Sequence, residues 1–283
     1  MPLAKTLVTL DGSDRDACAL TTAIRAAKPF NGHVAALFAH LDPADVPIAG
    51  VPLPPDVMGD IIEGNTRLIR GTTKRIHNTI AAICATEGAR AVPAPCRGET
   101  VTVSFHEAIG YPPTLTEAAA LLSDLIVCMP CAGSSREFEI AVDLVLTARR
   151  PVLLAAEPPP AYRKIMIAWN NTIPAAHSVS AAMPFLEKAD AIELVCLQQT
   201  RVPDFGTGAV TAYLKAHGLG CSEIHLRILD NVVHRSLAQF ASEKKADLLV
   251  LGGFSHSRVR ETFFGGVTNE FLRNPPLPVL LAH

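Results

Sequence analysis

The chain has no run of lysine and arginine. Its 25 basic and 27 acidic residues are mixed along the sequence, for a formal charge of -2, so it offers no electrostatic footprint for DNA or RNA and nucleic acid is not an expected partner. Long apolar runs are also missing. None approaches about 18 residues, and the amino terminus, MPLAKTLVTLDGS, lacks the charged, apolar and cleavage-site order of a secretion signal. The expectation is a cytoplasmic protein with no membrane partner. Cysteines number seven, an odd count at irregular spacing, which fits reduced thiols in a cytosol better than a disulfide framework. The one CxxC pair, Cys128 and Cys131 in VCMPCAG, has no second pair or histidine cluster beside it and reads as two small buried or loop thiols. Ten histidines are scattered without an HExxH or similar spacing, so no metal site is indicated. Aromatic residues make up only 5% of the chain against 49% hydrophobic and 18% charged, the composition of a compact Ala/Val/Leu-rich protein rather than a disordered one.

What the sequence does contain is itself, twice. At 283 residues two domains are the natural expectation, and internal similarity supplies them. TLVTLDGSDRDA (6–17) and IMIAWNNTIPAA (165–176) each read as an apolar strand, a turn and a helix start. SDLIVCMP (123–130) answers ADLLVLGG (246–253), and PVLLAAE (151–157) answers PVLLAH (278–283). Between the copies lies EPPPAYRK (157–164), whose three consecutive prolines make a stiff linker. Domains are therefore expected at 1–157 and 163–283, with the boundary near Ala161.

Within each copy, short Val/Ile/Leu runs alternate with stretches of helical period. Continuous apolar runs bounded by turn residues suit strands buried on both faces. The first copy offers 7–10, 34–38, 101–105, 125–128 and 152–154, and the second offers 165–168, 192–197, 224–228, 248–251 and 279–281. Ile62, Ile69, Ile76, Ile80 and Ile83 mark a long amphipathic helix. Strand alternating with helix implies parallel strands and crossover helices, so each half is expected to be a five-stranded, doubly wound α/β unit. The proline-rich loop 42–57, present only in the first copy, reads as a cover, a contact surface or an exposed spacer.

Such units place ligands at the carboxyl ends of their strands. There the second copy carries LGGFSHSRVRETFFGGVTNEFL (251–272), with Gly252-Gly253 and Gly265-Gly266 framing a Ser/His/Ser/Arg segment. Two bends and a helix amino terminus can present N–H groups to one anion, with Ser255, Ser257 and Thr268 adding hydroxyls. Close packing of loop against sheet is the other reason for such glycines. The segment is not a Walker loop, which requires G-x-x-x-x-G-K-[ST], and no lysine lies between Gly252 and Gly266. His256 between two serines has no G-x-S-x-G elbow and no third orienting group. Arg258 and Arg260 flank the segment, within reach of a phosphate or simply solvated.

These segments resemble the universal stress protein family. TLVTLDGSDRDA is similar to that family's first strand and acid turn, and residues 246–283 to its carboxyl-terminal third. The resemblance implies two tandem five-stranded, parallel-sheet, Rossmann-like units of the adenine nucleotide alpha hydrolase-like kind. It implies an adenine nucleotide, ATP or AMP, held by G-x-x-G, nine residues, then G-[ST], and by an aspartate closing the first strand, with Mg²⁺ present only alongside ATP. Carried over, Gly252 and Gly265 match. Ser255 stands for the second glycine, Gly266 for the hydroxyl residue, and Thr268 for a second hydroxyl two places on. Asn170 replaces the family acid, and the backbone around Leu197 would face adenine. The first copy departs the other way: Asp11 keeps the acid, but MPCAGSSREFEIAVDL has Gly133 alone, and its loop is four residues shorter.

The resemblance therefore implies a stress-response module working through nucleotide-dependent contacts with a protein partner whose identity the sequence does not give. Two other readings stay open: a structural or interaction protein that binds no nucleotide, and a slow ATP hydrolase. The tandem halves would form an internal pseudo-dimer, and whether two chains pair further into a homodimer is left open.

Overall fold

The computed structural model describes residues 3–45, 54–130, 135–146, 148–198, 206–228, 232–253 and 266–283. The first half runs β1 (Lys5–Thr9), α1 (Asp16–Ala27), β2 (His33–His40), α2 (Pro55–Glu87), β3 (Arg90–Ala91), β4 (Thr102–Ile109), α3 (Pro112–Ala120), β5 (Leu125–Cys128), α4 (Ser135–Leu146) and β6 (Val152–Leu154). The second runs β7 (Lys164–Trp169), α5 (Ile173–Leu186), β8 (Ala191–Gln198), α6 (Thr207–Ala216), β9 (Ser222–Arg227), α7 (Val233–Lys244), β10 (Leu248–Gly252), α8 (Gly266–Arg273) and β11 (Val279–Ala282). All ten expected strands form. The eleventh, β3, has two exposed residues and no apolar signal, and is held by its pairing with Thr102 and Val103.

The strands make one sheet in the order β3-β4-β2-β1-β5-β6-β11-β10-β7-β8-β9. Every neighbouring pair is parallel except β6 and β11, which join the halves antiparallel through Leu154–Val279, Leu153–Leu280 and Val152–Leu281. Alternation along these strands feeds two core layers. Leu153 and Leu280 pack with α1, α2, α5 and α6 on one face; Val152, Leu154, Val279 and Leu281 pack with α3, α4, α7 and α8 on the other. Both layers run across the joint, so the halves share their core. No helix among the described residues is long and apolar enough to cross a membrane.

The duplication reaches single hydrogen bonds. A carboxylate oxygen of Asp124 accepts from the N–H groups of Ala4 (2.8 Å) and Lys5 (2.9 Å). The Asp247 carboxylate accepts from Arg163 (2.8 Å) and Lys164 (3.0 Å) in the same way. Each aspartate thus closes the entry of its half's first strand, satisfying donors that start a buried ladder.

Helix α2 spans 33 residues and ends at Gly88, whose φ of 70° is the left-handed conformation that glycine adopts without strain. Ile76 and Ile80 are buried and Ile62, Ile69 and Ile83 half-buried, as their spacing predicts. Of the proline-rich stretch 42–57, Pro55 to Val57 form the first turn of this helix, where proline needs no hydrogen-bond partner, and 46–53 lie outside the described residues. Cys128 is buried in β5; Cys131 lies outside the described residues.

Candidate functional site

In the second half, Trp169 pairs with Cys196 and Ala168 with Leu251. The next residues along these strands, Asn170, Leu197 and Gly252, therefore share one rim at the carboxyl ends of β7, β8 and β10. The turn leaving β7 is built from Asn170, Asn171 with a φ of 55°, and Thr172 as the N-cap of α5. The Thr172 hydroxyl accepts from the Ala175 N–H (3.4 Å) and donates to Asn170 Oδ1 (2.7 Å). That chain fixes the Asn170 amide: its oxygen faces Thr172, and its NH₂, a pair of donors, faces out from an exposed side chain. Gly206, with a φ of 61°, begins α6 beside the turn; a Cβ there would lie 3.1 Å from Asn171 Nδ2. Trp169 is buried beneath Asn170 in the core layer of α5 and α6.

Gly252 and Gly253 meet neighbouring backbone, the packing reason for such glycines. Neither has a positive φ. The Gly253 N–H donates to the Ala282 carbonyl (2.8 Å), and the Gly253 carbonyl accepts from His283 Nδ1 (3.0 Å), so this amide closes the sheet instead of facing a ligand. Gly252 is where α5 lands on the sheet: a Cβ would stand 2.5 Å from the Ala175 nitrogen and 2.8 Å from the Pro174 carbonyl carbon. Its glycine is demanded by backbone approach. Gly266 opens α8, which is anchored on the opposite sheet face by Phe271 and Leu272, and Thr268 is buried at 5% exposure. Ser255, His256, Ser257, Arg258, Arg260 and Gly265 lie outside the described residues. The structure thus brings Asn170, Leu197 and Gly252 together, and places Gly266 and Thr268 at the start of the helix that follows.

The first half fills the same corner with its own carboxylate. Asp16, 3% exposed, accepts from the N–H groups of Asp11 (3.0 Å) and Gly12 (2.8 Å), the turn residues that answer Asn170 and Asn171. The Asp11 side chain accepts from the Ser13 N–H (2.8 Å), and Thr72 and Arg75 of α2 close over Gly12, whose carbonyl accepts from Arg75 Nε (3.1 Å). Donors that could meet a ligand anion there already hold one. Ala175 stands where Asp16 does, so α5 brings no carboxylate to the second turn. Sequence reasoning passed over Asp16, although the signal was present: in TLVTLDGSDRDA and IMIAWNNTIPAA the eleventh letters are Asp and Ala.

Burial first, and the neighbouring Asp11 after it, raise the Asp16 carboxyl from an ordinary 3.8 to about 6 against the pull of the two backbone donors. A raised carboxyl contributes stability that is complete below 3.8 and lost as pH rises through about 6. Relative to Asp16→Asn, the wild type should therefore lose unfolding free energy between pH 4.5 and 7.5, as followed by urea titration. Parallel pH profiles for the two proteins would contradict this.

Among the described residues no group of three or more His, Cys, Asp or Glu side chains could hold a metal ion. Residues 161–283 match the model of the universal stress protein family. The whole chain is similar to a universal stress protein from Archaeoglobus fulgidus at 12% identity and a TM-score of 0.64, covering 100% of this chain and 99% of that one. A putative universal stress protein from Pseudomonas aeruginosa is similar at 13% identity and a TM-score of 0.59, over 99% of this chain and 93% of that one. At such identities the likeness is one of fold. No curated protein matches the chain.

Proposed function

From the match of residues 161–283 to the universal stress protein family model, we propose that this chain is a stress-response module whose second half binds an adenine nucleotide, ATP or AMP, on the rim formed by Asn170, Leu197 and Gly252. The contrast between the halves carries the reading: Asp16 takes the turn N–H groups in the first, and Ala175 leaves the second without such a plug. Two adjacent turn amides and the outward NH₂ of Asn170 are donors, suited to a phosphate oxygen, a ribose oxygen or a ring nitrogen. The family aspartate would accept where Asn170 donates, so the ligand's edge must present an acceptor there. Ser255, Gly265, Gly266 and Thr268 belong to the loop and helix start that would complete the cradle, with Mg²⁺ entering only with ATP.

Binding would change the surface of residues 252–268 seen by a protein partner, a shift set by the difference in affinity between two loop states. The first half, 1–157, serves as a fixed support to the domain at 163–283, and a homodimer of two chains is compatible with this arrangement. Slow Mg²⁺-dependent hydrolysis is the enzymatic extension, without a lysine in the loop to make it fast.

The test is calorimetric titration with ATP and with AMP, with and without Mg²⁺, alongside Trp169 fluorescence. Saturation at about one nucleotide per chain is expected, with Asn170→Leu weakening it by about tenfold, or roughly 1.4 kcal/mol. No heat and no fluorescence change up to millimolar nucleotide would overturn the proposal and leave the interaction-protein reading.

A further inference from the structure

Where α1, the 157–164 linker and the end of α5 meet, the two halves enclose an open cleft of about 530 Å³. Its accessible apolar surface comes from Pro29, half-buried Phe30 and Ala161, and Tyr162 and Phe185, 6% and 3% exposed, stand behind them. The Tyr162 and Phe185 rings stand 4.7 Å apart and tilted by 39°. The Tyr162 hydroxyl is turned away, donating to the Thr22 carbonyl (3.2 Å) of α1, and burial pushes that phenol well above its ordinary range. The walls' polar demand is therefore met inside the protein.

The rim is cationic. Arg25, Lys28, Arg163 and Lys188 line the cleft against one acid, Glu87. Arg25 uses Glu87 up: its Nε and an Nη contact the carboxylate at 2.9 to 3.3 Å, and its other Nη donates to the Pro159 carbonyl (3.0 Å). Lys28 Nζ reaches only the Glu87 carbonyl (2.9 Å). Arg163 pairs with Asp190 at 3.1 Å with both side chains mostly exposed, a contact that solvent screens. The Lys188 ammonium forms no ion pair among the described residues. Lysines after a helix carboxyl end also complement its dipole. That accounts for Lys28 and Lys188 singly, but not for two lysines and a solvent-screened arginine meeting around one apolar hollow of ligand size.

We propose that this cleft is a second ligand site, for an amphipathic organic anion: a flat apolar body against Pro29, Phe30 and Ala161, with a carboxylate, sulfonate or phosphate toward Lys188 and Arg163. The volume lies in the range of small-molecule pockets, about 300–1,000 Å³. It is a different place from the nucleotide rim. That rim is at the first residues of α5 and the cleft at its last, and a 14-residue helix separates them by about 20 Å. Since both halves and the linker line the cleft, an occupant would touch all three.

The probe is 1-anilinonaphthalene-8-sulfonate, titrated into the intact chain by calorimetry and fluorescence. Saturable binding at about one per chain is expected, falling at least tenfold in Lys188→Glu/Arg163→Glu and unchanged in Lys74→Glu, an exposed reversal on α2. Both cleft residues are exposed, so circular dichroism and thermal midpoint should stay close to wild type. The uncharged N-phenyl-1-naphthylamine should bind at least tenfold more weakly, and excess ATP should not displace the sulfonate. Absence of saturable binding, equal affinity for the uncharged probe, indifference to the cleft reversal, or displacement by ATP would each overturn the proposal.

Discussion

Gly252→Val should cost on the order of 3 kcal/mol, the upper part of the usual range for overpacking, and lower the thermal midpoint by roughly 5 °C for a chain of this size. A Cβ at this position has nowhere to go: the nearest atoms, 2.5 to 2.9 Å away, are the backbone of Pro174 and Ala175. Backbone at a helix start cannot rotate aside as a side-chain tip would. Either α5 lifts from the sheet or β10 shifts, and both disturb the layer containing Ala175, Val179 and Val250. Differential scanning calorimetry measures the loss directly. A midpoint within 2 °C of wild type would mean that α5 does not dock on Gly252. The substitution therefore reports on packing whether or not a nucleotide binds, and the ligand question is better put to Gly265 and Asn170.

Tyr162→Ala carries the other large effect. This side chain links α1 and α5 from the linker itself, 6% exposed, through the Thr22 carbonyl and the Phe185 ring. Truncating a buried aromatic to alanine typically costs 3–5 kcal/mol, and here the void would open between the halves. The expected calorimetric trace is destabilised by about 4 kcal/mol and keeps a single transition, because β6, β11 and the shared core layers still join the halves. Tyr162→Phe removes only the hydroxyl and should cost about 1 kcal/mol, with a single transition retained. If Tyr162→Ala lost less than about 1 kcal/mol, the linker ring would not be part of what holds α1 against α5.

The sheet was legible because its strands are buried on both faces. LIVC, VLL and VLLA need no alternation to be recognised, and the duplication doubled every signal. β3 was not legible, since Arg90 and Ala91 carry no apolar pattern and owe their pairing to a neighbour. The role of Gly252 could not be separated from a ligand's in sequence because close approach of a helix and close approach of a phosphate ask for the same residue. Asn170 follows the last residue of β7, as its position after an apolar run implies, but the direction in which its amide points depends on the Thr172 hydroxyl, a three-group relay visible only in space. Asp16 was hidden by Asp11, the acid at the end of the first strand on which the resemblance rests.

The antiparallel meeting of β6 and β11 makes in one chain a joint that separate chains would have to find by collision. Such a contact does not weaken on dilution, so the folded arrangement should be the same at nanomolar and millimolar protein. It also releases the halves from identity. In a dimer of equal chains every substitution falls on both sides at once, whereas here Asp can stand at 16 and Ala at 175. One half can give up its opening and act as a wall for the other.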